Sequence, residues 1–187
     1  MDGRVARGER TRKAIVDAHT DLVREGVLKP TAQAVAERAG ISIRTFWSNF
    51  SDGEALLRAT VQRWLELDAS WWTPVDPSLP LDERIALFCE RRATRIENMA
   101  PAARSAALSE PFSPALRDSW TQHVERLIGD LKHTFGAELA GGRGAARLPE
   151  LVVLASWPAW RMLTEDLGRT RAEAIAVTAD GFARVLA

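Results

Sequence analysis

The chain has 187 residues, of which 46% are hydrophobic and 27% are charged, and its formal net charge at pH 7 is zero. This length is enough to bury a real hydrophobic core, in one large domain or two small ones. Its single cysteine, Cys89, excludes an intrachain disulfide, and no stretch is apolar for long enough to span a bilayer. The first residues lack the apolar run of a signal peptide, so we expect a cytoplasmic protein with no membrane partner.

Charge is distributed unevenly along the chain. Residues 1–50 carry nine Lys or Arg against six Asp or Glu, which gives this segment +3 and the remainder −3. Five of those nine cations lie between Arg4 and Lys13. Clustered cations near a chain end are typical of a solvated tail, but beside a nucleic-acid-binding motif they also neutralise phosphates.

The first fifty residues predict three helices. Apolar spacing favours helices over residues 9–24, 31–38 and 42–49, with Gly26 ending the first of them. Thr31 and Ser42 are predicted to cap the second and third helices, and Phe46 and Phe50 are predicted to face inward. Gly40 lies where the chain must leave the second helix in a left-handed conformation that a side chain resists. Two short helices on either side of a tight turn indicate a helix-turn-helix, which places its second helix in the DNA major groove.

The same stretch resembles the N-terminal domain of the TetR family of bacterial transcriptional regulators. The matching residues are 35–42, 45–50 and 54–57, with 12–18 similar to the first helix of the family. Trp47, Asn49 and Gly53 stand where the family usually has Tyr, His and Lys. The resemblance implies a DNA-binding domain in residues 1–50, joined to a helical ligand-binding and dimerisation domain in residues 51–187. The implied partners are a palindromic double-stranded DNA operator, a small-molecule effector and a second copy of the chain.

Nine residues of the predicted DNA-binding domain are candidate DNA contacts. Arg44 is the candidate for a base contact, because its forked guanidinium matches the edge of guanine. Arg10 and Arg12 are expected to neutralise phosphates. The other candidates are expected mostly to contact phosphates and fix the register. They are Thr31, Gln33, Ser42, Thr45, Trp47 and Asn49.

Beyond residue 50 the chain also predicts helices and no strands, because alternating β-branched runs are missing. The proline-rich segment 72–80 cannot be helical and separates the two functional halves. Residues 141–144, with three glycines, are expected to form a flexible connection, and Pro158 is expected to kink the helix that Pro149 opens. The predicted helices are 51–67, 81–99, 101–108, 114–135, one from residue 149, and one from residue 170 to the end, which makes about nine in an all-α fold.

The last two predicted helices carry apolar residues on more than one face. A helix without a polar face is covered on both sides, here by a second chain or by a wholly intrachain bundle. The family resemblance favours the second chain and implies a homodimer. The candidate interface residues are Leu163, Ala172, Ala176, Ala179 and Ala183.

A largely apolar ligand pocket is predicted in the C-terminal part, where tryptophans are frequent. Bulky aromatic residues either fill a core or line a cavity for a small molecule. Arg92 and His123 lie on otherwise apolar helix faces, and a buried ionisable group needs a partner, which is either a protein group or a ligand. The candidate ligand-binding residues are Phe88, Arg92, Trp120, His123 and Trp157.

Enzymatic chemistry has little support in the sequence. His19, His123 and His133 are not at metal-ligand spacings, and no glycine-rich phosphate loop follows a strand. We therefore expect no metal, no cofactor and no catalysis, and we predict a ligand-responsive transcriptional regulator that acts as a repressor. Two alternatives stay open: a helical small-molecule-binding module with weak or lost DNA binding, as Gly53 suggests, and an enzyme that uses the aromatic cavity.

Overall fold

The computed structural model describes residues 3–187, except for the side chains at positions 4 and 143. Arg4, one of the predicted cations of the N-terminal arm, therefore has its side chain outside the described residues. In residues 3–187 the regular structure is entirely helical, which confirms the predicted all-α fold. The helices are α1 (Gly3–Arg24), α2 (Ala32–Arg38), α3 (Ile43–Asn49), α4 (Gly53–Ser70), α5 (Leu81–Ala107), α6 (Pro114–Thr134), α7 (Gly141–Leu154), α8 (Trp157–Arg161) and α9 (Arg171–Leu186), with a 3-10 turn at Glu110–Phe112 and a π-helical turn at Met162–Asp166.

The chain forms two compact units. The first contains Met1–Ser70 and Met99–Trp120, and the second contains Trp71–Asn98 and Thr121–Ala187. Two helices, α5 and α6, therefore contribute to both units. The predicted boundary at residue 50 separated the expected DNA-binding part from the expected ligand-binding part. The observed units follow packing instead, and α4 belongs to the first unit because it packs on α1.

The first unit is built around the predicted helix-turn-helix. Phe46 and Phe50, each 1% exposed, pack with Ile15 of α1 and Val35 of α2 in one hydrophobic cluster. Gly40 turns the chain between α2 and α3 with a φ of +67°, a left-handed conformation that costs glycine nothing. The predicted inward direction of Phe46 and Phe50 is confirmed, and it determines which face of α3 points outward.

The second unit has its own aromatic core. The rings of Phe88 on α5, Phe135 just after α6 and Phe182 on α9 lie 5.4 to 5.7 Å apart between centroids. A smaller cluster contains Trp160 of α8 and Ala174 of α9. None of the helices in the described range is both long and apolar enough to cross a membrane.

Helix boundaries differ from the prediction at the prolines and near the glycine-rich segment. Residues 81–99 and 101–108, predicted as two helices, form the single helix α5 with Pro101 inside it. A proline removes one helical hydrogen bond, but packing on both sides maintains the helix, since Ala100 is buried and the Ser105 hydroxyl donates to the carbonyl of Leu28. The first helix also begins at Gly3 instead of near Glu9.

The predicted helix with a kink at Pro158 is in fact two helices, α7 and α8. The break comes earlier, where Ser156 caps α8 by accepting a hydrogen bond from the Ala159 amide. The expected flexible connection at residues 141–144 is instead the first turn of α7. Glycine is needed there for close packing, because a Cβ atom at Gly144 would lie 2.4 Å from the carbonyl carbon of Leu139.

Candidate nucleic-acid interface and ligand groove

Local hydrogen bonds fix the start of both helices of the helix-turn-helix. The Ser42 hydroxyl oxygen accepts from the Thr45 amide at 3.1 Å and lies 2.9 Å from the Thr45 hydroxyl. The Thr31 hydroxyl oxygen likewise accepts from the Ala34 amide at 3.1 Å. These caps satisfy amides that a helix start leaves unpaired. They confirm the predicted N-caps and determine where α3 begins.

The outward face of α3 is formed by Ile43, Arg44, Trp47 and Ser48, all of them exposed. The spacing of these four residues puts them side by side on the helix surface. Trp47 is 47% exposed, and its ring packs edge-on against Phe46 with 4.8 Å between the ring centroids. The side chain of Arg44 therefore lies beside an aromatic ring that the domain core holds in place.

Ile43 is an interface candidate that sequence reasoning missed. It is the first residue of α3 and 38% exposed. Aliphatic side chains at such positions can contact the methyl group of thymine in the major groove. Its role could have been predicted from the sequence, because Ile43 directly follows the capping residue Ser42 and lies four positions before Trp47, on the same helix face.

Arg12 joins α1 to the C-terminal end of α3. Its Nη1 atom donates to the carbonyl oxygen of Asn49 at 2.6 Å, and its guanidinium carbon lies 4.1 Å from the centre of the Phe50 ring. Asn49 in turn donates from its side-chain amide to the carbonyl of Thr45 at 2.8 Å. Arg12 and Asn49, both predicted as DNA contacts, therefore help to hold α3 in place.

The other predicted DNA contacts lie on the surface of the first unit. Arg10, Thr31, Gln33 and Ser42 are exposed, and Thr45 is half-buried. The Gln33 amide donates to the Glu37 carboxylate at 2.7 Å, within α2. The structure therefore brings most of the predicted contacts to the surface and ties several of them to neighbouring groups.

Glu54 links the start of α4 to the start of α6 within the first unit. Its carboxylate accepts from the Ser113 hydroxyl at 2.7 Å and from the Ala115 amide at 2.8 Å. Negative charge is favourable at a helix N-terminus, where amides are unpaired. At the neighbouring position Gly53, a Cβ atom would meet nothing within 4 Å, so the site has room for a side chain.

The second unit contains a shallow, open groove. Phe88 and Val75 provide apolar wall, and Arg91, Arg92 and Arg95 line it together with Asp130. Two predicted ligand residues, Phe88 and Arg92, therefore lie at this groove. The lining is more basic than the predicted apolar pocket.

The remaining predicted ligand residues lie elsewhere. Trp157 packs against the cluster that contains Trp160, and Trp120 is an exposed residue of the first unit. His123 is half-buried and contacts Arg92, with 3.0 Å between its Nε2 atom and an Arg92 nitrogen. The structure does not gather the five predicted residues at one groove.

Arg92 is buried, and protein groups serve as its partners. Its Nε atom donates to the carbonyl oxygen of Ala155 at 2.8 Å. A guanidinium has no acceptor, so the Nε2 atom of His123 accepts and the ring in this geometry is neutral. The desolvation of these two side chains is therefore compensated within the chain, without requiring a ligand.

The predicted dimer residues divide between surface and core. Ala172, Ala176 and Ala183 are exposed on α9, whereas Ala179 packs against the aromatic core and Leu163 against the Trp160 cluster. Val153 of α7 and Val177 of α9 are exposed as well, at 64% and 47%. The exposed side of α9 thus carries small and apolar residues together with charged ones, among them Glu173, Asp180 and Arg184.

Burial shifts the pKa values of Cys89 and His19, which lie outside these sites. Burial raises the pKa of the Cys89 thiol to about 12, which makes it a poor nucleophile near neutral pH. Burial lowers the pKa of His19 to about 4, and its Nδ1 atom has no partner among the described residues. In the described part of the chain, no group of three or more His, Cys, Asp or Glu could hold a metal ion.

Comparison with known proteins gives a structural match but no sequence match. No family model matches the chain, and no curated protein matches it significantly. A crystal structure described as a candidate TetR-family transcriptional regulator from Mesorhizobium loti MAFF303099 matches with a TM-score of 0.63 and 17% sequence identity, covering 96% of each chain. The chain therefore has the fold of this TetR-family regulator.

Proposed function

We propose that this protein is a DNA-binding transcriptional regulator that acts as a homodimer and leaves its operator when a small molecule binds. The observation that carries the proposal is the outward face of α3, formed by Ile43, Arg44, Trp47 and Ser48 on a capped helix-turn-helix. The fold match supports the same role, because the matching structure is described as a transcriptional regulator.

The composition of the α3 face suits the major groove. Arg44 has the forked donor geometry that pairs with guanine, and Ile43 offers an apolar contact for thymine. Trp47 has an indole N–H that can donate to a phosphate oxygen. Because Phe46 and Phe50 fix the rotation of α3, the same face is presented in every molecule.

The outer side of α9 supports dimerisation. Small residues allow two helices to approach closely, and Ala172, Ala176 and Ala183 lie exposed there beside Val177. A two-fold dimer would present two copies of α3 to two half-sites about one DNA turn apart, as expected for a palindromic operator.

A response to ligand requires a connection between the groove and the DNA-binding helices. Both α5 and α6 provide lining residues of the groove and continue into the first unit. In that unit the first turn of α6 is bonded to Glu54 at the start of α4. A ligand would release DNA only if it binds more tightly to the dimer conformation that fits DNA poorly.

The test is operator binding by the Arg44→Ala variant. We expect a loss of about 1–3 kcal/mol in discrimination at one base pair of each half-site, with nonspecific binding nearly unchanged. Arg38→Ala is the matched control, since Arg38 lies off this face and is paired with Glu25. Equal losses of specific and nonspecific binding for Arg44→Ala would contradict the assignment of Arg44 to a base. Absence of any sequence preference in the unaltered protein would instead favour a helical ligand-binding module.

A further inference from the structure

Two large apolar side chains of α3 are exposed to solvent. Ile43 and Trp47 are 38% and 47% exposed, whereas Phe46 of the same helix is 1% exposed. Residues four positions apart are neighbours on a helix surface, so Ile43 and Trp47 together form one apolar surface. Covering such a surface with an apolar group of a partner is favourable, because it removes the surface from water.

The direction of this apolar surface is fixed by the core of the first unit. Phe46 is buried beside Phe50, and the ring of Trp47 packs edge-on against the ring of Phe46 with 4.8 Å between the centroids. Ile43 is β-branched, and such a side chain has one strongly preferred rotamer in a helix. Both side chains are therefore restricted before a partner binds, which lowers the entropy cost of binding.

The chemistry of the DNA major groove determines what an apolar surface can recognise there. Each base pair presents hydrogen-bond donors and acceptors in this groove, and the C5-methyl group of thymine is the only methyl group among them. A hydrocarbon side chain placed over a donor or acceptor would leave that polar group unpaired. Of the groups at the base edges, the thymine methyl is therefore the one that Ile43 and Trp47 suit.

We propose that Ile43 and the ring of Trp47 together bind one thymine methyl group in each operator half-site. This inference rests on the proposed function and adds to it a base identity that is read by apolar contact. Arg44 follows Ile43 directly and is exposed on the same side of α3, so the thymine lies close to the guanine that Arg44 contacts. Ile43 is thereby a specificity-determining residue.

Replacement of thymine by uracil tests the proposal. It removes the C5-methyl group and keeps the base pairing and the O4 acceptor. Duplexes of the operator site defined by footprinting carry uracil at one thymine at a time, and fluorescence anisotropy gives the affinity of the full-length protein for each. We expect uracil at one position of each half-site to weaken binding about fourfold, which is the effect of leaving one methyl-sized group unburied.

Variants at Ile43 identify the side chain that reads the methyl group. Ile43→Ala should abolish the preference for thymine over uracil at that position, and Ile43→Val, which keeps a branched side chain, should retain it. Val27→Ala is the matched control, because Val27 is 41% exposed and lies between α1 and α2, outside α3. The preference is a ratio of two affinities of the same variant, so a general loss of folding or of DNA binding does not change it.

The possible failures are distinguishable. Equal affinity for thymine and uracil at every position of the site would overturn the proposal, and so would a preference that persists unchanged in Ile43→Ala. In both cases the protein still binds a preferred site, so the proposed function would stand. If the unaltered protein has no preferred site, the proposed function is wrong, and this inference is wrong with it.

Discussion

Replacing Arg12 by methionine separates two roles for a cation beside the recognition helix. Arg12 was predicted from the sequence as a phosphate contact, but its guanidinium bonds the Asn49 carbonyl and covers the Phe50 ring. If holding α3 is its main role, Arg12→Met should destabilise the first unit and weaken operator binding, with little change in the salt dependence of binding.

The magnitude follows from the two contacts. A hydrogen bond to an exposed carbonyl contributes about 1 kcal/mol, and an exposed guanidinium stacked on an aromatic ring contributes about 0.5–1 kcal/mol. The expected loss in the free energy of unfolding is therefore about 1.5–2 kcal/mol. Lys13→Met is the matched control, because the Lys13–Asp17 pair is exposed and contributes only about 0.5 kcal/mol or less.

Two assays decide between the roles. Urea denaturation gives the stability change, and operator titrations at several salt concentrations give the slope of log affinity against log salt. Removing a phosphate contact reduces that slope by about 0.9 per subunit, which is the result expected for Arg10→Met. If Arg12→Met reduces the slope as Arg10→Met does and leaves stability unchanged, the proposed role in holding α3 is wrong.

Three further predictions concern stability and assembly. Burial depresses the pKa of His19 to about 4, so below pH 6.5 the unfolded chain binds a proton more readily than the folded chain does. Between pH 7 and pH 4, the free energy of unfolding of the wild-type protein should therefore fall by up to roughly 3 kcal/mol relative to that of His19→Gln, as measured by urea denaturation. An equal pH dependence in both proteins would exclude this role. Glu138→Ala should lower the free energy of unfolding by roughly 3 kcal/mol in the same assay, because it leaves the buried guanidinium of Arg84 without its carboxylate partner. A loss below about 1 kcal/mol would show that the pair behaves as a surface ion pair. Ala176→Glu should yield a monomer in sedimentation experiments, because it places a charge in the proposed dimer contact, whereas Ala86→Glu on the exposed side of α5 should leave a dimer. If the unaltered protein is monomeric at micromolar concentration, the proposed dimer is wrong.

Local features of the fold could be predicted from the sequence. The predicted caps at Ser42 and Thr31 are confirmed, and they were predictable because each bond joins residues three positions apart. Gly40 and the inward direction of Phe46 also follow from short-range rules for helix ends and apolar spacing. These features were sufficient to identify the helix-turn-helix and the outward face of its second helix.

Pairings between distant residues could not be predicted in this way. Arg12 meets the carbonyl of Asn49, 37 positions away, and Arg95 meets Asp130, 35 positions away. Helical periodicity shows that such side chains lie on certain faces, but partner choice depends on how the helices pack. The basic character of the groove comes from Arg91, Arg92 and Arg95 on α5. The predicted pocket contained Arg92 but was expected to be largely apolar.

Whether a helix continues through a proline was also predicted incompletely from the sequence. Pro101 lies inside α5, whereas the chain leaves α7 just before Pro158. Both prolines lack the same backbone donor. Pro158 lies in the first turn of α8, where this donor has no helical partner, and Ser156 caps that turn. Pro101 lies in a helix interior, and the packing that maintains α5 around it cannot be read from the local sequence.

The central claim is that the α3 face reads a two-fold DNA site, and footprinting of the DNA upstream of the protein's own coding region tests it most directly. We expect protection of two related half-sites about one helical turn apart, weakened by added salt and lost in Arg44→Ala at concentrations where Arg38→Ala still protects. Uniform protection without preferred sites, or no protection at low salt, would contradict the claim.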